Sequence, residues 1–212
     1  MRTILSKLII LLILPFAVYP QENDFQVWTC FSARKKIIKK TTLTVKEGLR
    51  FRENATLISK QFTEARIRYK YNKHWFPALG YRYSLDWDNN QKLEKKNRFY
   101  ADISYKNKFK RFNFSVRSRI LKQGNSYDYE NVFRQRFSIF YNIRKTKLEP
   151  FSAIEYFYTP ENKFDKLRYT IAISYPIIKD LDMEIAYRIQ EEFNTNNPDT
   201  FYIFEGKINY YF

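Results

Sequence analysis

The chain has 212 residues, a formal net charge of +16 and a mean hydropathy of −0.58, yet Phe, Tyr and Trp make up 19% of it and Gly occupies only 4 positions. Such an aromatic-rich, glycine-poor composition excludes a disordered or collagen-like chain. One Cys and one His exclude an internal disulfide and any Cys/His metal cluster.

In chain order, the first predicted element is a signal peptide over residues 1–20. Arg2 and Lys7 flank a basic start, Leu8 to Phe16 is apolar apart from Pro15, and polar Gln21 to Asp24 follow. The apolar run is too short for a membrane-spanning helix of about 20 residues, and the cut is expected near Ala17 to Gln21. Residues 21–40 form an N-terminal segment in which Phe25, Val27, Trp28, Cys30 and Phe31 make a candidate strand. Val27, Trp28 and Thr29 before Cys30 do not form a lipobox, so Cys30 is read as a buried, inert thiol.

From residue 41 to 212 the period is two. Leu43, Val45, Leu49 and Phe51 alternate with polar residues, as do Ala65, Ile67 and Tyr69; Leu79, Tyr81 and Tyr83; Phe99, Ala101 and Ile103; Phe112, Phe114 and Val116; Phe133, Phe137 and Ile139. Residues 148–158 are apolar on both faces, after which alternation resumes at Leu167, Tyr169 and Ile171 and at Met183, Ile185 and Tyr187. The last segment, Phe201 to Phe212, places Tyr202, Phe204, Gly206, Ile208, Tyr210 and Phe212 on one face. A soluble domain rarely ends on so aromatic a strand, whereas a transmembrane barrel shows such a band to lipid. Barrel strands also hide their hydrophobicity from averaged hydropathy, because every second residue is polar.

The expected fold is therefore all-β: a single antiparallel transmembrane barrel of 10–12 strands with short periplasmic turns and longer outer loops. Single-chain bacterial barrels have even strand counts, so residues 25–33 are either one of twelve strands or a segment inside the barrel. The competing class is a soluble ligand-carrier barrel with aromatics inside and basic residues outside. Ile208, Tyr210 and Phe212 resemble the terminal aromatic signal read by the barrel-insertion machinery. The expected location is the bacterial outer membrane, with its lipid and lipopolysaccharide as partners.

Asp24-Phe25-Gln26-Val27-Trp28, Glu47-Gly48-Leu49-Arg50-Phe51, Leu79-Gly80-Tyr81-Arg82-Tyr83, Arg98-Phe99-Tyr100-Ala101-Asp102 and Tyr141-Asn142-Ile143-Arg144 resemble the bacterial family called domain of unknown function 2490. The resemblance covers the chain after residue 20 and implies an outer-membrane barrel, with no assigned chemistry.

Catalysis by a membrane barrel would need a His with a nucleophile and an orienting group. His74 is followed by Trp75 and Phe76 rather than a His-x-Ser pattern and falls beside a periplasmic turn, so a lipid-modifying enzyme is the weaker alternative. No cofactor, metal or phosphate loop is expected. With the aromatic face toward lipid, the lumen receives Arg50, Arg52, Arg66, Arg68, Arg82, Arg98, Arg117, Arg119, Arg134, Arg136, Arg168 and Arg188, against the acids Glu64, Asp102, Glu155, Glu184 and Glu205. Two readings follow: an anion-preferring small pore or anion-binding lumen, since guanidinium rows suit carboxylates, sulfates and phosphates, and a closed structural barrel whose arginines pair with carboxylates. Nucleic acid is not expected, because arginines and aromatics fall on opposite faces, the wrong arrangement for base stacking. Trp28, Trp75, Trp87, Tyr127, Tyr129 and Tyr158 are read as interface girdle residues.

Overall fold

Segments of 11 to 17 residues, alternating except in the doubly apolar stretch 148–158 and bounded by polar turns, become eleven strands among the described residues of a computed structural model, which are 23–125, 127–160, 163–194 and 198–212. The expected signal peptide, residues 1–20, lies outside them. The strands are β1 (Asn23–Ile38), β2 (Thr41–Arg52), β3 (Leu57–Tyr69), β4 (Trp75–Trp87), β5 (Leu93–Phe109), β6 (Phe112–Gly124), β7 (Tyr129–Tyr141), β8 (Glu149–Thr159), β9 (Lys163–Ile178), β10 (Leu181–Glu192) and β11 (Thr200–Tyr211). Each pairs antiparallel with its sequence neighbours, and the sheet closes on itself.

Closure is the point at which sequence expectation fails. The described strands are odd in number, so the seam between β1 and β11 is parallel, running from Asn23 opposite Thr200 to Arg34 opposite Tyr211. The segment around residues 25–33 neither acquires a missed twelfth partner nor lies in the lumen. It belongs to β1, a full wall strand hydrogen-bonded to β11 on one side and to β2 on the other.

Alternation decides which side chains meet which solvent. Leu79, Ile120 and Ile171 point outward from mid-wall and are more than 60% exposed. They belong to a continuous apolar outer face with Ile67, Phe99, Ile103, Phe114 and Phe137. An apolar belt of this extent suits hydrocarbon rather than water. Outward aromatics rim the end that holds Phe212, with Trp75 against Tyr105 and Phe112 against Tyr141, each at 5.0 Å between ring centroids. Trp87, Tyr129, Tyr158 and Tyr202 occupy the opposite end. At the Phe212 end two-residue turns join β1 to β2, β5 to β6 and β9 to β10, but β3–β4 and β7–β8 are joined by five and seven residues, and the connections at the other end have three to seven, so the expected contrast of short turns and longer loops holds only in part. The strands run past the apolar belt, which makes these connections (53–56, 88–92, 125–128, 160–162 and 193–199) shorter than the alternation suggests.

Candidate functional site: a cationic lumen

The inner wall encloses a cavity of about 860 Å³. Its lining reaches from Gln123, Glu130 and Glu192 at one end to Arg34, Arg68 and Lys106 at the other, so it runs along the barrel axis. Seventeen Lys and Arg line it against seven Asp and Glu among the described residues. All twelve arginines expected inside lie on the inner face, and eleven of them line the cavity. Arg52 is the exception, because its guanidinium is drawn to the rim by Asn89 Oδ1 at 2.5 Å and by the carbonyl of Asp88. Of the five expected acids, Glu64, Glu155, Glu184 and Glu205 line the cavity, while Asp102 is buried in the wall behind Arg66 and Arg119.

Much of this charge is organised around single carboxylates. Glu155 accepts from Arg117 at 2.8 Å, Arg134 at 3.0 Å and Arg168 at 3.5 Å. Glu64 takes Lys46 at 3.1 Å and Arg82 at 2.7 Å, and Asp102 takes Arg66 at 2.7 Å and Arg119 at 2.5 Å. Arg188 pairs with Glu205 and Lys207 with Glu184. Lys60 and Asp86, which counting arginines alone had passed over, pair at 2.7 Å. Their inward position was readable, since each shares the parity of an arginine on its own strand.

Four of the twelve expected arginines fall outside this network. Arg50, Arg68, Arg98 and Arg136 have no carboxylate within ion-pair distance among the described residues. Arg136 donates to Ser138 Oγ at 3.2 Å, and Arg68 lies over the Phe76 ring at 5.7 Å. Register compounds this, because Arg82 stands directly across from Arg98 and Lys60 across from Arg50, and like charges in that relation destabilise a sheet.

The lumen also holds the aromatics that were expected to face only lipid. Trp28, read as a girdle residue, is buried inside with the Arg50 guanidinium 3.7 Å over its ring. Phe62 lies 3.9 Å under Arg82, Tyr100 3.7 Å under Arg119, and Phe157 4.4 Å under Arg134. Arg168 lies over both Trp28, at 5.3 Å, and Phe157, at 4.9 Å. Guanidinium and ring therefore alternate around much of the wall. Trp28, Phe62 and Tyr100 share parity with the arginines of their own or adjoining strands, so the signal was in the alternation. Phe157 sits in the doubly apolar segment, where parity could not be read.

His74 sits in the connection between β3 and β4 at the Phe212 end. Its Nδ1 lies 2.8 Å from the Lys106 carbonyl and its ring stacks on Tyr105 at 5.5 Å. Among the described residues no three His, Cys, Asp or Glu side chains converge as a metal site would require. Cys30 is half-buried and lines the cavity, rather than being sealed in a core.

Among curated proteins, none matches the chain. A solved structure described as "NanC porin structure in rhombohedral crystal form" is similar at 13% identity and a TM-score of 0.47, over 77% of this chain and 86% of that one. The family model described as "Protein of unknown function (DUF2490)" matches residues 25–202, so the closed, arginine-lined barrel belongs to that family.

Proposed function

We propose that the protein is an outer-membrane barrel that admits small anionic solutes into a hydrated lumen and carries out no catalysis. The observation that carries this reading is the surplus of cavity-lining cations, in particular Arg50 and Arg98, neither of which has a carboxylate within ion-pair distance among the described residues. A bare guanidinium in a low-dielectric interior costs several kcal/mol. Water and mobile anions in an axial cavity offset that cost, whereas a closed lumen would call for matching carboxylates. The apolar outer belt and the two aromatic rims support the membrane assignment.

Purified protein in a planar bilayer under a KCl gradient tests the reading. We expect discrete conductance with a zero-current potential on the anion-selective side, moving toward zero in the Arg50→Gln/Arg98→Gln double variant. These two are the informative positions, because Arg117 and Arg134 are already engaged by Glu155 and their replacement would unbalance a carboxylate. Folded protein that never conducts, or that prefers cations, would overturn the proposal.

A further inference from the structure

Surplus charge is not spread evenly over the lumen. Glu155 is shared by β6, β7, β8 and β9, and Asp102 by β3, β5 and β6. In the sector formed by β2 to β5, Arg50 stands opposite Lys60 and Arg82 opposite Arg98, and the nearby acids Glu64, Asp86 and Glu94 are committed to Arg82 and Lys46, to Lys60, and to Lys96 respectively. Among the described residues the Arg50 side chain donates no hydrogen bond. Arg98 makes none either, and its Nε is fully buried without a partner. Both line the cavity.

From this we infer that Arg50 and Arg98 form a discrete, saturable site for one small oxyanion, a carboxylate or a sulfate-like group, in the half of the lumen away from Phe212. The inference rests on the anion-admitting reading and adds to it a place and a stoichiometry. Stacking explains why the site is built rather than diffuse. With the Trp28 ring 3.7 Å and the Phe62 ring 5.6 Å from its central carbon, the Arg50 guanidinium is stacked by a face, and its N–H edge is left for bonding. Oxyanions are recognised in the plane of that edge, commonly by two parallel N–H···O bonds. Holding the fork in advance lowers the entropy lost on binding. The bound anion would also neutralise the Arg82/Arg98 and Arg50/Lys60 oppositions that the sheet register imposes.

Trp28 makes occupancy measurable without any transport assay. Refolded protein in detergent micelles is titrated with sodium sulfate, and separately with sodium acetate, against sodium chloride at matched ionic strength, following tryptophan emission and thermal unfolding. For sulfate or acetate we expect a saturating emission change and a rise in melting temperature beyond that given by chloride. Arg98→Gln should weaken binding about tenfold or more, the loss typical of a charge-assisted hydrogen bond. Arg98→Lys should fall between the two, because it keeps the charge but not the fork. Lys95→Gln, three residues away on the outer face, should bind as wild type. Without added oxyanion, Arg98→Gln should melt no lower than wild type, since it removes a repulsion, and this comparison separates a lost site from a lost fold.

A linear, non-saturating response, or an unchanged midpoint in folded Arg98→Gln, would overturn the site. The bilayer result is independent. Saturable binding without conductance would sink passage and leave the site, and anion-selective conductance without saturable binding would do the reverse.

Discussion

Glu155 shows how much one residue can organise in a narrow lumen. A buried carboxylate with three guanidiniums at 2.8, 3.0 and 3.5 Å ties β6, β7 and β9 to β8. Removing its charge leaves three desolvated cations without their shared partner, a change that costs on the order of 3–5 kcal/mol when a buried pair is broken. Glu155→Gln should therefore lower the thermal unfolding midpoint in detergent sharply. Glu47→Gln, whose carboxylate faces outward to Thr63, should leave it nearly unchanged. At this scale the sequence was legible wherever parity was unambiguous: the twelve expected arginines follow from period two, while Arg34, which also lines the cavity, was missed in a segment whose place was open. Which of those arginines go unpaired was not legible, because pairing depends on cross-strand register. Nothing in Arg98 itself distinguishes it from Arg119; the difference is that Arg119 stands opposite Asp102 and Arg98 opposite Arg82.

Elements are coupled by two glycines that the strand pattern treats as mere gaps in side-chain packing. Gly48 faces Phe62 across β2 and β3, and Gly80 faces Tyr100 across β4 and β5. In each case the neighbour's ring covers the glycine, and an added Cβ would come within 2.5 Å of it. A ring laid over a glycine shields exposed backbone and pins register. Here the same rings carry Arg82 and Arg119 on their free faces. Gly80→Ala should therefore displace Tyr100, cost about 1–3 kcal/mol as overpacking does, and loosen Arg119 from its stack, visible as a lower melting temperature. Strand existence was readable along nearly the whole chain. Strand ends were less so, because polar residues such as Lys95, Asn97 and Lys122 continue the pairing beyond the apolar belt and read in sequence as loop.

For the whole molecule, the strand count is what pattern reading left open. A strand signal was present at residues 25–33, but a preference for even counts argued against placing it simply in the wall. The parallel seam with β11 resolves the parity. It is fastened by a Ser32–Asn209 hydrogen bond at 3.0 Å and by Arg34, which reaches Asn209 and Tyr211 at 3.2 Å each. Topology then fixes which connections share a side of the membrane. In a Cys30→Ser background, Asn54→Cys in the β2–β3 connection should react with a membrane-impermeant maleimide on intact cells, and Lys145→Cys in the β7–β8 connection only after the outer membrane is permeabilised. Equal labelling of both positions on intact cells would show that the barrel is inverted or not inserted.

A parallel seam also gives the chain a fixed beginning. In an antiparallel closure the two termini emerge side by side and can be joined by a short peptide, so the order of strands can be rotated freely. Here Asn23 and Phe212 emerge at opposite ends of neighbouring strands. A linker between them would have to run the height of a twelve-residue strand, roughly 40 Å at the usual rise per residue. Its only paths are down the lumen, where it would fill the cationic cavity, or through lipid, where its backbone would go unsatisfied. Circular permutants joining Phe212 to Asn23 should therefore not be obtainable with short linkers, and reporter fragments fused at Asn23 and at Phe212 would be held a membrane apart.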